Sequence, residues 1–156
     1  MDHALMPAAA ALHVVEEYVY PGGFLDVMRE TSPKYGRHAT PLFAVVINGL
    51  FVFLCLLAAV FGTRRRLFGL SVLSLLLLNS FAHVAGTVAR RRYNPGTATA
   101  LLLYVPIAVR GYREALASGE CGPRDIALSL AIAAGYHAVP LVSLVAAEAL
   151  ERRAAS

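Results

Sequence analysis

The chain has no tryptophan, two cysteines and one lysine in 156 residues, and only 15% of its side chains are charged. Soluble domains carry about 25% charged residues, so this shortage, with 58% hydrophobic residues and a mean hydropathy of +0.60, excludes an ordinary soluble domain. The two cysteines, Cys55 inside an apolar run and Cys121 between runs, supply neither a disulfide framework nor a paired-cysteine metal site. Thirteen of the fourteen basic residues are arginine, and the net charge is +4. That charge does not indicate a nucleic-acid partner, because the arginines form short clusters between long uncharged stretches and no nucleic-acid motif accompanies them.

Charge is missing in three long runs: Pro41 to Gly62, Leu67 to Ala89 and Ile126 to Ala147. Each exceeds the roughly 20 residues that a helix needs to cross a bilayer. A fourth run, Thr97 to Val109, reaches spanning length by continuing to Ala117 while Arg110 snorkels. The first apolar stretch, Ala4 to Tyr20, stands at the lower limit and carries His13, Glu16 and Glu17. It lacks a positive leading segment and is interrupted by charge, so it is expected to stay in the mature protein rather than act as a secretory signal. The runs do not alternate as barrel strands do. The expected fold is therefore one all-α integral membrane domain over 1–156, a bundle of four to five transmembrane helices near 4–20, 41–62, 67–89, 97–117 and 125–149. Pro21 to Gly23, Pro33 to Thr40, Thr63 to Arg66, Arg90 to Gly96 and Ser118 to Pro123 read as loops. Arginines flank both ends of the third helix, so the positive-inside rule leans only slightly, towards an outside N-terminus and an inside C-terminus.

Ionisable groups inside a bilayer cost roughly 2.5 to 3.5 kcal/mol each on insertion scales and call for a reason. His13, Glu16 and Glu17 stand at i, i+3 and i+4, which brings them to one face of a helix. Asn79 and His83 repeat the i, i+4 spacing, Asn48 lies in the second run and His137 in the last. Counted from the ends that carry Pro21, Pro41 and Arg90, His13, Asn48 and His83 are each seven residues deep, or roughly 10 Å at 1.5 Å per residue. Polar groups from several helices thus fall in one layer of one leaflet. Tyr93-Asn94-Pro95-Gly96 closes the third helix at the same face and brings another phenol and amide there.

His nitrogens with a carboxylate suit one zinc or iron ion, with His13, Glu16, His83 and His137 as ligands. Glu16 or Glu17 would accept a proton from bound water, and Asn48, Asn79 and Tyr93 would hydrogen-bond the ligands. Without metal, a buried glutamate beside a histidine makes an acid/base pair. No organic cofactor is indicated. Taken singly, each residue has a plain structural role, such as packing or a solvated polar face; the shared depth is what favours a site.

Leu12-His13-Val14-Val15-Glu16-Glu17-Tyr18, then Pro21-Gly22-Gly23-Phe24, Asn48, His83 to Gly86, Tyr93 to Gly96 and His137, together resemble the HXXEE-domain family of small bacterial multi-pass membrane proteins. The resemblance implies a membrane location and a bacterial source, in the inner membrane, but no reaction. The expected function is an intramembrane metal-dependent or acid/base enzyme acting on a lipid-like substrate. The rival reading is a transporter or binding subunit that uses the same residues as a proton or ion site.

Overall fold

The computed structural model describes residues 3–19, 23–119 and 121–155. The expected helix stop at Tyr20-Pro21-Gly22 and the leading Met1-Asp2 lie outside the described residues. Among those described, the fold is helical without strands: α1 (Met6–Val19), α2 (Phe24–Thr31), α3 (Pro33–Gly36), α4 (Pro41–Phe61), α5 (Arg66–Arg90), α6 (Thr97–Thr99), a π-helical turn (Ala100–Tyr104), α7 (Val105–Ala117) and α8 (Pro123–Ala154).

Local chemistry sets the helix ends. Thr40 caps α4 by accepting the Phe43 N–H at 3.1 Å, and Pro41 occupies a first-turn position where no N–H is needed. At the start of α8, Pro123 plays the same part and Asp125 accepts the Gly122 N–H at 2.9 Å. Helix α5 ends where Arg91 turns left-handed, at φ 52°.

Helices α4, α5 and α8 are long and apolar enough to cross a membrane. Helix α5 is the central one: its most apolar stretch is 56% buried, against 22% for α4 and 11% for α8. Buried serines stitch it to its neighbours. Ser74 Oγ lies 2.6 Å from Tyr112 Oη on α7 and 2.8 Å from Ser129 Oγ on α8, the interhelical hydrogen bonding expected where hydrocarbon offers no other partner.

Two departures from the expected elements bear on the site. The stretch read as a loop from Pro33 to Thr40 begins with α3, and α2 precedes it, because Pro33 suits the first turn of a helix. The fourth run is helical from Thr97 to Ala117 but broken in register. Pro106 lacks the N–H that would bond to the Leu102 carbonyl, and the backbone widens into the π turn just before it. Helix α8 runs five residues beyond the expected Ala149. At 32 residues it spans about 48 Å, more than a bilayer core, and its end reaches the α2–α3 connector. There Arg37 donates to Glu148 at 2.6 Å and to Glu151 at 2.6 Å, while His38 Nε2 stands 3.1 Å from Glu148. On the opposite side of that connector Glu30 accepts from Arg90 at 2.8 Å and pairs with Arg92. Arg90 and Arg92 thus tie the connector to the end of α5.

Candidate functional site

The i, i+4 spacing on α1 places His13 and Glu17 side by side, and α5 brings His83 against both. His13 is 1%, Glu17 3% and His83 8% exposed. Glu17 Oε1 is 3.4 Å from His83 Nε2 and 3.6 Å from His13 Nε2. The imidazoles meet edge to face with centroids 4.7 Å apart. His13 Nε2 is buried and has no hydrogen-bond partner among the described residues.

Glu16 points elsewhere. Its Oε1 accepts the N–H groups of Gly96 at 2.9 Å and Ala98 at 3.2 Å, its Oε2 accepts the Thr99 N–H at 2.8 Å, and Tyr93 donates its hydroxyl to Oε1. These are the orphan donors at the start of α6, and a set made only of donors suits an ionised carboxylate. The adjacent glutamates therefore divide their work. Glu17 faces the histidines, and Glu16 pins the 93–99 turn over them.

That turn supplies the outer contacts of the rings. His13 Nδ1 is 2.9 Å from Thr99 Oγ1, and His83 Nδ1 is 3.2 Å from Asn94 Nδ2. Arg90 donates to Asn94 Oδ1 at 3.1 Å, which holds the amide nitrogen towards the ring. In that orientation Asn94 donates to His83 Nδ1, so the ring hydrogen sits on Nε2 and faces Glu17; turning the amide over would reverse the tautomer. Below the pair, Tyr104 from the π turn is fully buried and stacks on His13 at 4.7 Å.

The expected site residues are thus only partly gathered. His13, Glu17 and His83 converge, with one ligand atom of each within 4.8 Å of the others. Tyr93 is present as a partner of Glu16. Asn48 is buried on α4 and donates to Tyr18 Oη at 3.5 Å, not to a histidine. Asn79, one turn before His83, has a buried Oδ1 without a partner among the described residues. His137 lies exposed on α8 and is not in the group; it falls on the same helical stripe as the buried Ala133, four residues before it, and Leu144, seven after it, but that part of the stripe is left uncovered. Glu16, expected as a ligand, has both oxygens committed to the 93–99 turn. Thr99, Gly96 and Tyr104 escaped the sequence reading. Gly96 and Asn94 sat in a turn motif that was noticed, whereas nothing marked Thr99 or Tyr104 in an apolar run.

The donor set bears on a metal. Four tetrahedral ligands at 2.0 to 2.1 Å stand about 3.3 Å apart, close to the 3.4 and 3.6 Å measured around Glu17 Oε1. The unpartnered His13 Nε2 also fits. His83 would offer a lone pair from Nε2 only with the Asn94 amide turned over. A second group, His38, Glu148 and Glu151, already holds the Arg37 cation.

Membrane-length helices enclosing a buried cluster of two histidines and a glutamate define the class. The family described as "Protein of unknown function with HXXEE motif" matches residues 4–110. The chain belongs to the HXXEE family, and its motif is His13-x-x-Glu16-Glu17. The match ends before α8, so His137 and Glu148 lie outside it. No curated protein and no solved structure matches the chain.

Proposed function

We propose that the protein is an intramembrane enzyme in which Glu17, set between His13 and His83, does acid/base chemistry on a lipid-like substrate. The observation that carries this reading is the buried His13 Nε2, which faces a buried carboxylate 3.6 Å away and has no hydrogen-bond partner among the described residues. Either the ring hydrogen sits on Nε2 and points at the carboxylate while Nδ1 accepts the Thr99 hydroxyl, or two lone pairs face each other in low dielectric and require a cation between them; in both cases the smallest group that fits between His13 and Glu17 is a proton. One proton shared by His13 and Glu17, with His83 donating to the same oxygen, makes Glu17 a base poised to take and return a proton. Incubating the purified protein with extracted membrane lipids and comparing the products by mass spectrometry tests this. A lipid species consumed by the wild type and untouched by Glu17→Gln is expected; identical lipid profiles would sink the enzyme reading and leave a proton or ion site of a transporter or binding subunit.

The spacing around Glu17 Oε1 favours a second reading, in which the cation is one zinc or iron ion held by His13, Glu17 and His83. Such an ion polarises a substrate carbonyl or acidifies bound water. In either case the chain is read as a multi-pass protein of a bacterial inner membrane, with Thr97–Ala117 as a fourth crossing. Helix α1, about 21 Å long at 14 residues, enters the bundle without crossing it completely.

A further inference from the structure

Two cavities meet at Tyr18. One, of about 500 Å³, is a groove between α1 and α4 lined by Val14, Val45, Gly49, Val52, Phe53 and Leu56, with Asn48 and Tyr18 as its polar members. The other, of about 200 Å³, lies under α2 and is lined by Glu17, Tyr18, Phe24, Asp26 and Arg29 among others. Val14 and Tyr18 each follow a site residue, His13 and Glu17, by one position, so a single helix turns one face to the site and the next to the groove. Tyr18 lines both cavities, and Asn48, which lines the groove, donates to its hydroxyl at 3.5 Å.

We infer that these cavities form one binding site for a single-chain amphiphile, with its hydrocarbon chain in the α1–α4 groove and an uncharged polar head under α2 beside Glu17. The apolar groove lies on α4, a helix of membrane length, where acyl chains are the surrounding solvent. The head cavity selects against anions, since it presents the two carboxylates of Glu17 and Asp26 against one guanidinium, and Arg29 is already engaged by Asp26 at 3.4 Å and the Ala39 carbonyl at 3.0 Å. A hydroxyl or amide head finds both acceptors and donors there. This assignment rests on Glu17 being the reacting carboxylate, and it gives that carboxylate a substrate class: neutral monoacyl lipids.

Gly49 allows a direct test, because it lines the groove and a Cβ added there meets nothing within 4 Å, so a larger side chain starts in open space. The wild type and Gly49→Trp, in detergent micelles, are irradiated with a monoacylglycerol that carries a diazirine in its chain, and the adducts are mapped by mass spectrometry. Adducts on Val45, Val52, Phe53 and Leu56, reduced at least tenfold in Gly49→Trp, are expected. Equal labelling of the two proteins, or adducts spread equally over the exposed face of α8, would overturn the groove. A diazirine fatty acid is expected to label several-fold less; equal labelling by the fatty acid would overturn the uncharged head. Occupancy is read separately from turnover. A labelled groove in a protein that changes no lipid supports the binding site while removing the acid/base reading, and an unlabelled groove in a protein that does turn over lipid removes the binding site alone.

Discussion

The Cα of Gly96 lies against the edges of both imidazoles: a Cβ there would stand 2.7 Å from His13 Cε1 and 2.6 Å from His83 Cε1. The residue also has φ +93°, a backbone region that costs an L-residue roughly 1 to 2 kcal/mol. Gly96→Ala should therefore both strain the turn and separate the rings, lowering stability by about 2 kcal/mol. Thermal unfolding in detergent gives the first effect, and a change in the imidazole 15N shifts of both histidines gives the second. Unchanged shifts would mean that the turn does not position the rings.

Replacing the two glutamates of the motif should affect stability very unequally. Glu16→Ala strips the acceptor from three backbone N–H groups and the Tyr93 hydroxyl, and the loss of these charged, mostly part-buried hydrogen bonds should cost about 2 kcal/mol. Glu17→Gln keeps an acceptor oxygen for His83 and offers an amide donor to His13, so it should change stability by less than about 1 kcal/mol, yet it should abolish any reaction. Chemical denaturation of the two variants side by side checks this; equal destabilisation would contradict the division of labour.

Much of this was legible beforehand for a physical reason. Apolar length dictates membrane-length helices, and the i, i+4 spacing dictates that His13 and Glu17 share a face. Counting depth brought His83 to the same layer because α1 and α5 both end at the same side of the bundle. The count could not say which levels of a helix its neighbours cover, and so His137 was placed inside although that part of α8, on the same stripe as Ala133 and Leu144, is left exposed. Nor could it separate Glu16 from Glu17. Those neighbours differ by about 100° around the helix, and their roles depend on where the 93–99 turn lies, a tertiary fact. The Pro106-induced register shift that stacks Tyr104 on His13 was likewise hidden in an apolar run.

The α2–α3 connector, which roofs the head cavity, is tied to α8 through Glu148, a buried carboxylate that receives Arg37, His38 and Arg152. Glu148→Ala should release the connector while leaving α4 and α5 in place. Hydrogen exchange followed by mass spectrometry is expected to show residues 24–39 exchanging at least several-fold faster with little change in the α5 core. Protection that stays as in the wild type would show that Glu151 on Arg37, together with Glu30 on Arg90 and Arg92, suffices to hold the connector.

Asn94 should bias the proposed centre towards a proton rather than a metal. With its amide nitrogen towards His83 Nδ1 and its oxygen on Arg90, it keeps hydrogen on His83 Nε2 and works against a metal there. Asn94→Asp replaces that donor by a carboxylate, which would draw the ring hydrogen to Nδ1 and free Nε2, as in the carboxylate–histidine–metal arrangements whose loss typically costs 10- to 100-fold in affinity. Zinc should accordingly bind Asn94→Asp at least tenfold more tightly than the wild type, and His13→Ala should cancel the gain. Calorimetric titration of protein purified without a metal-binding tag measures both. If the wild type already holds one zinc per chain and Asn94→Asp adds nothing, the amide is turned over in the native protein and the metal reading displaces the proton reading.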